Sequence, residues 1–272
     1  MPAKGVEMSD TVDLARALTE LRAKTPLVQC LTNIVVANWT ANVLLAAGAA
    51  PAMVDNAAEA SMFAGIAGGV LINTGTPYAE TAEAMREAVR GAAKSGTPWV
   101  LDPVAFGLPF RSEIARDVLA LGRPAIIRGN ASEIMGLAGV EASGRGVDAG
   151  DPVEAALAAA RELAGKHGCV VAVSGPVDHI TDGRRTVTVA NGHDWMTKVT
   201  GVGCSLGALM AAFAAVAEPL DAAVAATALL CVAADRAADG APAPGSFAEA
   251  LIDHLFLLTP DELAASARLG HA

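Results

Sequence analysis

Cysteine and histidine are sparse in this sequence, and neither residue is spaced as it is in disulfide frameworks or zinc sites. The four cysteines lie far apart and form no C-x-x-C pair, which favours a reducing, cytoplasmic setting. The five histidines show neither an H-x-x-x-H pattern nor Cys/His ligand spacing, which argues against a dedicated zinc site. These residues are Cys30, Cys169, Cys204 and Cys231, and His167, His179, His193, His254 and His271.

Basic residues are outnumbered, with 19 Lys and Arg against 29 Asp and Glu and a formal net charge of −10 over 272 residues. Such a charge repels polyanions and anionic lipid headgroups. We therefore expect neither nucleic acid nor a membrane surface as a partner. A Walker A motif and a G-x-G-x-x-G opening a βαβ unit are also absent, so neither a P-loop kinase nor a Rossmann dehydrogenase is indicated.

Uninterrupted apolar runs of membrane-spanning length are lacking too. The Ala-rich stretch Leu206–Ala234 is broken by Glu218, Pro219 and Asp221 before either half reaches the roughly 20 residues that a span needs. This pattern predicts two buried helices. The segment Met1–Asp10 lacks the apolar core of a secretory signal, so export is not indicated.

Short apolar runs bounded by turn residues alternate with helix-like segments along most of the chain. This alternation predicts an α/β fold whose mostly parallel central sheet is covered by helices on both faces. The predicted strands are Leu27–Cys30, Ala52–Val54, Val70–Asn73, Trp99–Leu101, Ala125–Arg128 and Cys169–Val173. The predicted crossover helices are Trp39–Ala47, Ala57–Ala67, Ala79–Lys94, Glu113–Leu121, Ser132–Leu137 and Pro152–Lys166.

The pattern changes after Ser174. Asp182-Gly183 lies between the β-rich runs Asp178–Thr181 and Thr186–Ala190, which predicts a hairpin and thus an antiparallel edge. From Gly201 to the end the sequence is typical of helix. Its natural breaks are Pro219, the Pro242–Pro244 segment and Pro260. No linker separates two domains, so we expect one domain over residues 1–272, with a surface loop at Ala142–Gly150.

Two glycines, Gly201 and Gly203, stand immediately before the first of these helices. The backbone N–H groups of Gly201, Val202, Gly203 and Cys204 would form an anion hole there, because free amides and the helix dipole attract a phosphate or developing negative charge. A thiol at this position has its thiolate favoured, so Cys204 could take a proton from a substrate hydroxyl or orient that hydroxyl. The alternative is a buried structural cysteine.

The segment Gly203–Gly207 also matches G-x-S-x-G, the nucleophile elbow of serine hydrolases, with Ser205 as the nucleophile. That function requires a strand immediately before the serine and an Asp and then a His after it. The approach to Ser205 is typical of a loop, and only His254 and His271 follow. We retain the hydrolase as an alternative.

Three charged residues follow predicted strands, where ligands bind in open α/β sheets. Arg128 could clamp nucleotide phosphates, and Glu133 could hold hydrated Mg²⁺ through water. Asp102 suits a metal or a phosphate-bound cation. The alternatives are a helix-capping pair of Asn130 and Glu133 and a turn role for Asp102.

Several uncharged side chains near the N-terminus suit a small, partly apolar ligand. They are Gln29, Thr32, Asn33, Asn38, Asn42 and Met53. Turn chemistry of the asparagines and core packing of Met53 explain the same residues without a ligand.

Four segments together, in their order and spacing, resemble the hydroxyethylthiazole kinase family. The segments are Leu31–Asn33, Leu101–Val104, Ile127–Ile134 and Val199–Cys204. The resemblance implies a ribokinase-like fold and ATP-dependent phosphorylation of the primary alcohol of 4-methyl-5-(2-hydroxyethyl)thiazole in thiamine salvage. It also implies a homotrimer with active sites at subunit contacts.

Carried over by position, the resemblance implies that Cys204 stands where most of the wider ribokinase-like group has a catalytic aspartate. It further implies contacts of Asn33, Met53 and Gly201 with the thiazole alcohol. Arg128 and Ser174 would contact ATP, and Asp102 and Glu133 would organise Mg²⁺.

This sequence departs from the family at two places. Ser174 stands where the family generally has threonine, which keeps the hydroxyl, and Ala105-Phe106 replaces a more glycine-rich sequence, which adds bulk near the nucleotide or substrate. Competing hypotheses are a related kinase of a pyrimidine or pyridoxal alcohol, the serine hydrolase, and a nucleotide-binding protein without catalysis.

Overall fold

A computed structural model describes residues 12–140 and 152–272, and nine strands in these ranges form one sheet. The strands are β1 Leu27–Leu31, β2 Ala50–Ala52, β3 Gly69–Asn73, β4 Trp99–Asp102, β5 Ile126–Asn130, β6 Val170–Ser174, β7 Asp178–Thr181, β8 Thr186–Val189 and β9 Leu269–His271. Their order is β2-β1-β3-β4-β5-β6-β7-β8-β9. The first six are parallel and the last three join them in antiparallel pairs, which confirms the predicted fold class.

Helices cover both faces of this sheet. They are α1 Leu14–Lys24, α2 Ala37–Ala47, α3 Ala57–Ala64, α4 Ala79–Ser95, α5 Pro109–Leu121, α6 Ala131–Leu137, α7 Pro152–His167, α8 Val202–Ala214, α9 Pro219–Gly240, α10 Pro244–Leu257 and α11 Pro260–Ser266. A short 3₁₀ helix, Asp194–Lys198, precedes α8. Apolar side chains of α2, α8 and α9 pack on one face, where α1 lies against α8 and α9, and those of α3, α4, α5 and α7 pack on the other.

Burial on both faces explains why the parallel strands are continuous apolar runs. All five residues of β3, for example, are buried. The Ala-rich stretch predicted as two buried helices forms α8 and α9, and proline begins α9, α10 and α11. In the two described ranges, no helix combines the length and the apolar character needed to cross a bilayer.

The predicted hairpin is confirmed between β7 and β8. The Asp182 carboxylate accepts hydrogen bonds from the amides of Arg184, at 2.8 Å, and Arg185, at 2.7 Å. Gly183 has φ 90°, a left-handed conformation that favours glycine. The local turn chemistry therefore fixes this edge of the sheet.

Two sequence predictions are wrong in detail. The chain is not helical to its end, because β9 pairs with β8. The Leu-Gly-His sequence of β9 has no apolar run that would predict a strand. The ladder with β8 stabilises it. Strand β2 covers residues 50–52 rather than 52–54, because the Val54 carbonyl accepts a hydrogen bond from the Gln29 side chain instead of entering a ladder. The loop predicted at Ala142–Gly150 lies outside the described residues, and one domain over 1–272 stays a prediction.

Candidate active site

Five neighbouring strands, β1, β3, β4, β5 and β6, end at the same edge of the sheet and carry a row of polar side chains there. These side chains are Asn33, Asn73, Asp102, Arg128 and Ser174. The carboxyl ends of parallel strands are the usual position of ligand sites in open α/β sheets. The structure thus brings together four of the residues predicted from sequence and adds Asn73.

On β4 to β6, the side chains of the row are hydrogen-bonded around the Arg128 guanidinium. It donates to both carboxylate oxygens of Asp102, at 3.3 Å each, and to the Ser174 hydroxyl at 3.1 Å. Asp102 is fully buried and Arg128 is 8% exposed. A buried charge pair of this kind is maintained only while both partners are present, since either charge alone would be uncompensated.

The other half of the row leads from Asp102 to the predicted catalytic cysteine. Asn73 donates to Asp102 at 2.8 Å and accepts a hydrogen bond from Asn33 at 3.0 Å, while the same Asn33 amide lies 3.5 Å from the Cys204 sulfur. Asn73 was not among the residues predicted from the sequence. The pattern that could have identified it is an amide at the end of an apolar strand, between the strands that lead to Asn33 and Asp102.

Cys204 lies in the first turn of α8, which begins directly beside this row. Gly201 caps the helix with φ 96°, and a Cβ atom there would lie 2.9 Å from both Trp39 and Val36, so only glycine fits. The first amides of a helix have no carbonyl partner within the helix. Gly203 is exposed and Cys204 is partly exposed, which leaves this turn open to a ligand.

A cavity of about 510 Å³ lies between the Arg128 half of the row and the start of α8. Its walls include Arg128, Ser174, Val202 and Gly203, together with apolar side chains from the helices behind them. A Cβ atom on Gly203 would lie 3.1 Å from the Arg128 guanidinium, so the start of α8 and this cation are in close contact. A guanidinium and helix amides facing one cavity suit a phosphorylated ligand.

The sequence pattern of the hydroxyethylthiazole kinase family matches residues 18–261. The chain belongs to this family. A hydroxyethylthiazole kinase from Cutibacterium acnes is 62% identical over 266 residues, which cover 97% of this chain and 96% of that one. The structure of a hydroxyethylthiazole kinase protein from Pyrococcus horikoshii matches with a TM-score of 0.88 at 37% identity, covering 95% of this chain and 98% of that one.

The ribokinase-like fold predicted by the resemblance is confirmed as well. A ribokinase-like superfamily protein from Enterococcus faecalis matches with a TM-score of 0.61 and covers 91% of this chain and 89% of its own. Its identity is 13%, so this likeness concerns the fold alone.

The ionisation of Cys204 that was predicted from its position at a helix N-terminus is corrected by the structure. Burial, and then the nearby Asp102 carboxylate, raise the pKa of the Cys204 thiol above its usual value. Burial and a neighbouring negative charge both disfavour the thiolate. Cys204 is therefore a neutral thiol at neutral pH, able to orient a hydroxyl but not to act as a strong base.

Glu133 has the capping role that the sequence allowed as an alternative. Its two carboxylate oxygens accept hydrogen bonds from the amides of Ala105, at 2.8 Å, and Asn130, at 2.9 Å, and Asn130 caps α6. Among the described residues no group of three or more His, Cys, Asp or Glu side chains forms a ready metal site. The paired oxygens of Asp102 and Glu133 fit Mg²⁺ held through water and nucleotide phosphates, as this hard cation prefers.

The remaining uncharged candidates separate into different environments. Met53 lies after the edge strand β2 and is 38% exposed. Asn38 and Asn42 bond to each other on the exposed face of α2, as helix-surface residues. Asn33 is thus the one amide of that group with a hydrogen bond to the row.

The hydrolase alternative is contradicted by the environment of Ser205. Its side chain is fully buried within α8, where its hydroxyl donates to the Val202 carbonyl at 2.9 Å and accepts from the Trp39 indole at 3.3 Å. The serine lies inside a helix rather than on a strand-to-helix elbow, and His254 and His271 lie at the end of α10 and in β9. Ser205 is a structural residue.

Asp102 gives a pH dependence with a definite sign. Burial raises the pKa of its carboxyl from 3.8 to about 6, although Arg128 opposes the shift. The folded protein therefore holds this proton more tightly than the unfolded chain, so the group stabilises the fold most below about pH 4 and this contribution is lost as pH rises through about 6. We expect the free energy of unfolding of the wild type, relative to Asp102→Asn, to fall across that window in urea titrations. A rise with pH would contradict the assignment.

Proposed function

We propose that this protein transfers the γ-phosphate of ATP to the primary alcohol of 4-methyl-5-(2-hydroxyethyl)thiazole, in thiamine salvage. Family membership supports the reaction, and the relative from Cutibacterium acnes is named for it. The observation that carries the proposal is a continuous hydrogen-bonded row beside an open helix end, which runs through Ser174, Arg128, Asp102, Asn73, Asn33 and Cys204. This row supports the proposal, because it brings a guanidinium and a thiol to one edge of the sheet.

In the proposed mechanism the phosphates of ATP occupy the cavity beside Arg128 and Ser174. The bond between the γ-phosphorus and the bridging oxygen of ADP breaks while a bond to the alcohol oxygen forms. Charge on the transferring group faces the amides of Val202, Gly203 and Cys204, whose dipoles are already oriented by α8. Positioning and charge stabilisation account for most of the rate in such a reaction.

Cys204 holds the acceptor hydroxyl in line with the phosphorus. A neutral thiol suits this task, because a loose transition state develops little charge on the attacking oxygen and needs little base strength. Asn33 fixes the sulfur by its 3.5 Å contact. The hydroxyl proton leaves late, as the new oxygen–phosphorus bond forms, and passes to an oxygen of the transferred phosphoryl group.

Asp102 and Glu133 would hold Mg²⁺ through water next to the nucleotide phosphates, where the ion supplies neutralisation of phosphate charge. Both carboxylates are buried and each already accepts N–H hydrogen bonds. Their orientation is therefore set by the protein before the nucleotide arrives.

We also propose a homotrimer whose active sites lie at subunit contacts. Exposed apolar side chains next to the acceptor end of the site support this assembly: Ile34 is 72% exposed, Val35 is 64% exposed and Met53 is 38% exposed. A neighbouring copy would cover them and complete the pocket for the thiazole ring. Light scattering that gives the mass of one chain would contradict the trimer.

A cytoplasmic location stays a prediction, consistent with four free cysteines.

The deciding experiment supplies purified protein with Mg-ATP and a panel of primary alcohols that includes hydroxyethylthiazole, a pyrimidine alcohol and pyridoxal. We expect ADP release and a phosphate monoester of the thiazole, identified by mass. Phosphorylation of pyridoxal or the pyrimidine alone would reject the named acceptor. ATP binding without ADP release for any alcohol would indicate a nucleotide-binding protein without catalysis.

A further inference from the structure

The loop after β4 contains a non-glycine residue in a left-handed conformation. Ala105 has φ 55°, and Thr25, at the end of α1, is the other non-glycine residue with positive φ in the described ranges. Such a conformation costs alanine roughly 1–2 kcal/mol, and alanine has no polar side chain with which to offset it locally. Contacts elsewhere must therefore hold Ala105 in place.

The neighbouring side chain, Phe106, provides those contacts. Its ring packs on Gly136 of α6, where an added Cβ atom would lie 3.1 Å from the ring. The Arg116 guanidinium of α5 lies over the ring, 5.3 Å from its centroid. The ring is thus held between two helices, and the Phe106 amide donates to the Pro103 carbonyl at 3.0 Å.

The left-handed turn directs the Ala105 amide at a residue of the site. This amide donates to one Glu133 oxygen at 2.8 Å, while the other oxygen accepts from Asn130 at 2.9 Å. Glu133 therefore joins the loop after β4 to the start of α6. The carboxylate has one fixed orientation only while Ala105 keeps its conformation.

We propose that Phe106 is a positioning residue: its ring holds Ala105 in the left-handed turn, and the Ala105 amide thereby aims the Glu133 carboxylate at the water ligands of nucleotide-bound Mg²⁺. This inference rests on the proposed kinase function. It assigns a role to the position where the sequence departs from the glycine-rich pattern of the family. A glycine adopts this turn without support, whereas Ala105 requires the Phe106 ring.

The test compares Phe106→Ala with Phe110→Ala, which removes a second aromatic ring from the same region. Phe110 is 41% exposed and lies in the first turn of α5. Hydrogen exchange of the peptide containing Ala105 is measured in the free protein, and the Mg²⁺ concentration for half-maximal rate is measured with saturating ATP.

For Phe106→Ala we expect exchange at Ala105 to accelerate and the half-saturating Mg²⁺ concentration to rise about 10-fold, with KM for the alcohol unchanged. Phe106→Leu, which keeps apolar bulk, is expected to restore most of both values. Phe110→Ala is expected to match the wild type. If Phe106→Ala does not fold, Gly136→Ala tests the same contact, since its Cβ atom displaces the ring.

Unchanged exchange at Ala105 would overturn the proposal, because Phe106 would then not hold the turn. Faster exchange with an unchanged Mg²⁺ requirement would overturn it equally, because the turn would then position nothing. Failure of the kinase function itself is distinguishable, since the wild type would then transfer no phosphate from Mg-ATP to any alcohol.

Discussion

Replacing Cys204 by alanine is expected to lower kcat about 100-fold while KM for ATP changes by less than about twofold. The thiol contacts Asn33 on one side of Asp102, whereas Arg128 and Ser174, which we propose contact ATP, lie on the other side. Steady-state kinetics with each substrate varied in turn separate the two effects.

Two variants serve as controls for this loss. Cys169→Ala removes a buried thiol from the core on the other helical layer and is expected to keep full kcat. Cys204→Ser keeps a hydrogen-bonding group in the first turn of α8 and is expected to recover part of the rate. Full activity of Cys204→Ala would remove the sulfur from the mechanism and leave the amides of α8 as the principal catalytic groups.

Replacing Arg128 by methionine is expected to produce the largest combined loss. KM for ATP is expected to rise about 100-fold or more, because a charge-assisted contact with phosphate is lost. The same change is expected to lower the free energy of unfolding by about 3–5 kcal/mol, because the fully buried Asp102 carboxylate is left without its cation. Isothermal titration with ATP and urea unfolding measure the two losses independently.

A second substitution distinguishes these two losses. In the double variant Arg128→Met/Asp102→Asn the buried negative charge is absent. We therefore expect the free energy of unfolding to recover while ATP binding stays weak. Arg86→Met is the matched control, because Arg86 contacts Asp117 at 2.8 Å where Asp117 is 40% exposed, and such surface pairs contribute at most about 1 kcal/mol. An Arg128→Met variant as stable as wild type would show that the pair adds nothing to the fold.

The sequence was sufficient to predict the architecture and most of the row of site residues. The apolar runs of β1 and β3 to β6 are buried on both faces, so their pattern is strong, and parallel strands necessarily bring their carboxyl ends to one edge. Asn33, Asp102, Arg128 and Ser174 could therefore be grouped without a structure. The Asp182-Gly183 turn was equally clear, because local chemistry alone determines it.

What the sequence did not reveal depends on contacts between distant segments. Strand β9 exists through its ladder with β8, and helix α1 was not predicted although its apolar face packs against α8, α9 and α11. The role of Asn73 requires both Asn33 and Asp102 beside it. The pKa of Cys204 was predicted from the helix end alone, whereas burial and the Asp102 charge determine its direction.

Asp102 divides the row into two parts that are built from different stretches of chain. One side comes from the ends of β5 and β6, and the other comes from the ends of β1 and β3 and the start of α8. In the proposed mechanism, acceptor choice and phosphate-donor choice depend on these separate stretches, so exchanging the segments after β1 and β2 leaves the guanidinium half intact. Under this mechanism, substitutions in the segments after β1 and β2 would change the alcohol that is accepted without changing the residues proposed to contact the nucleotide.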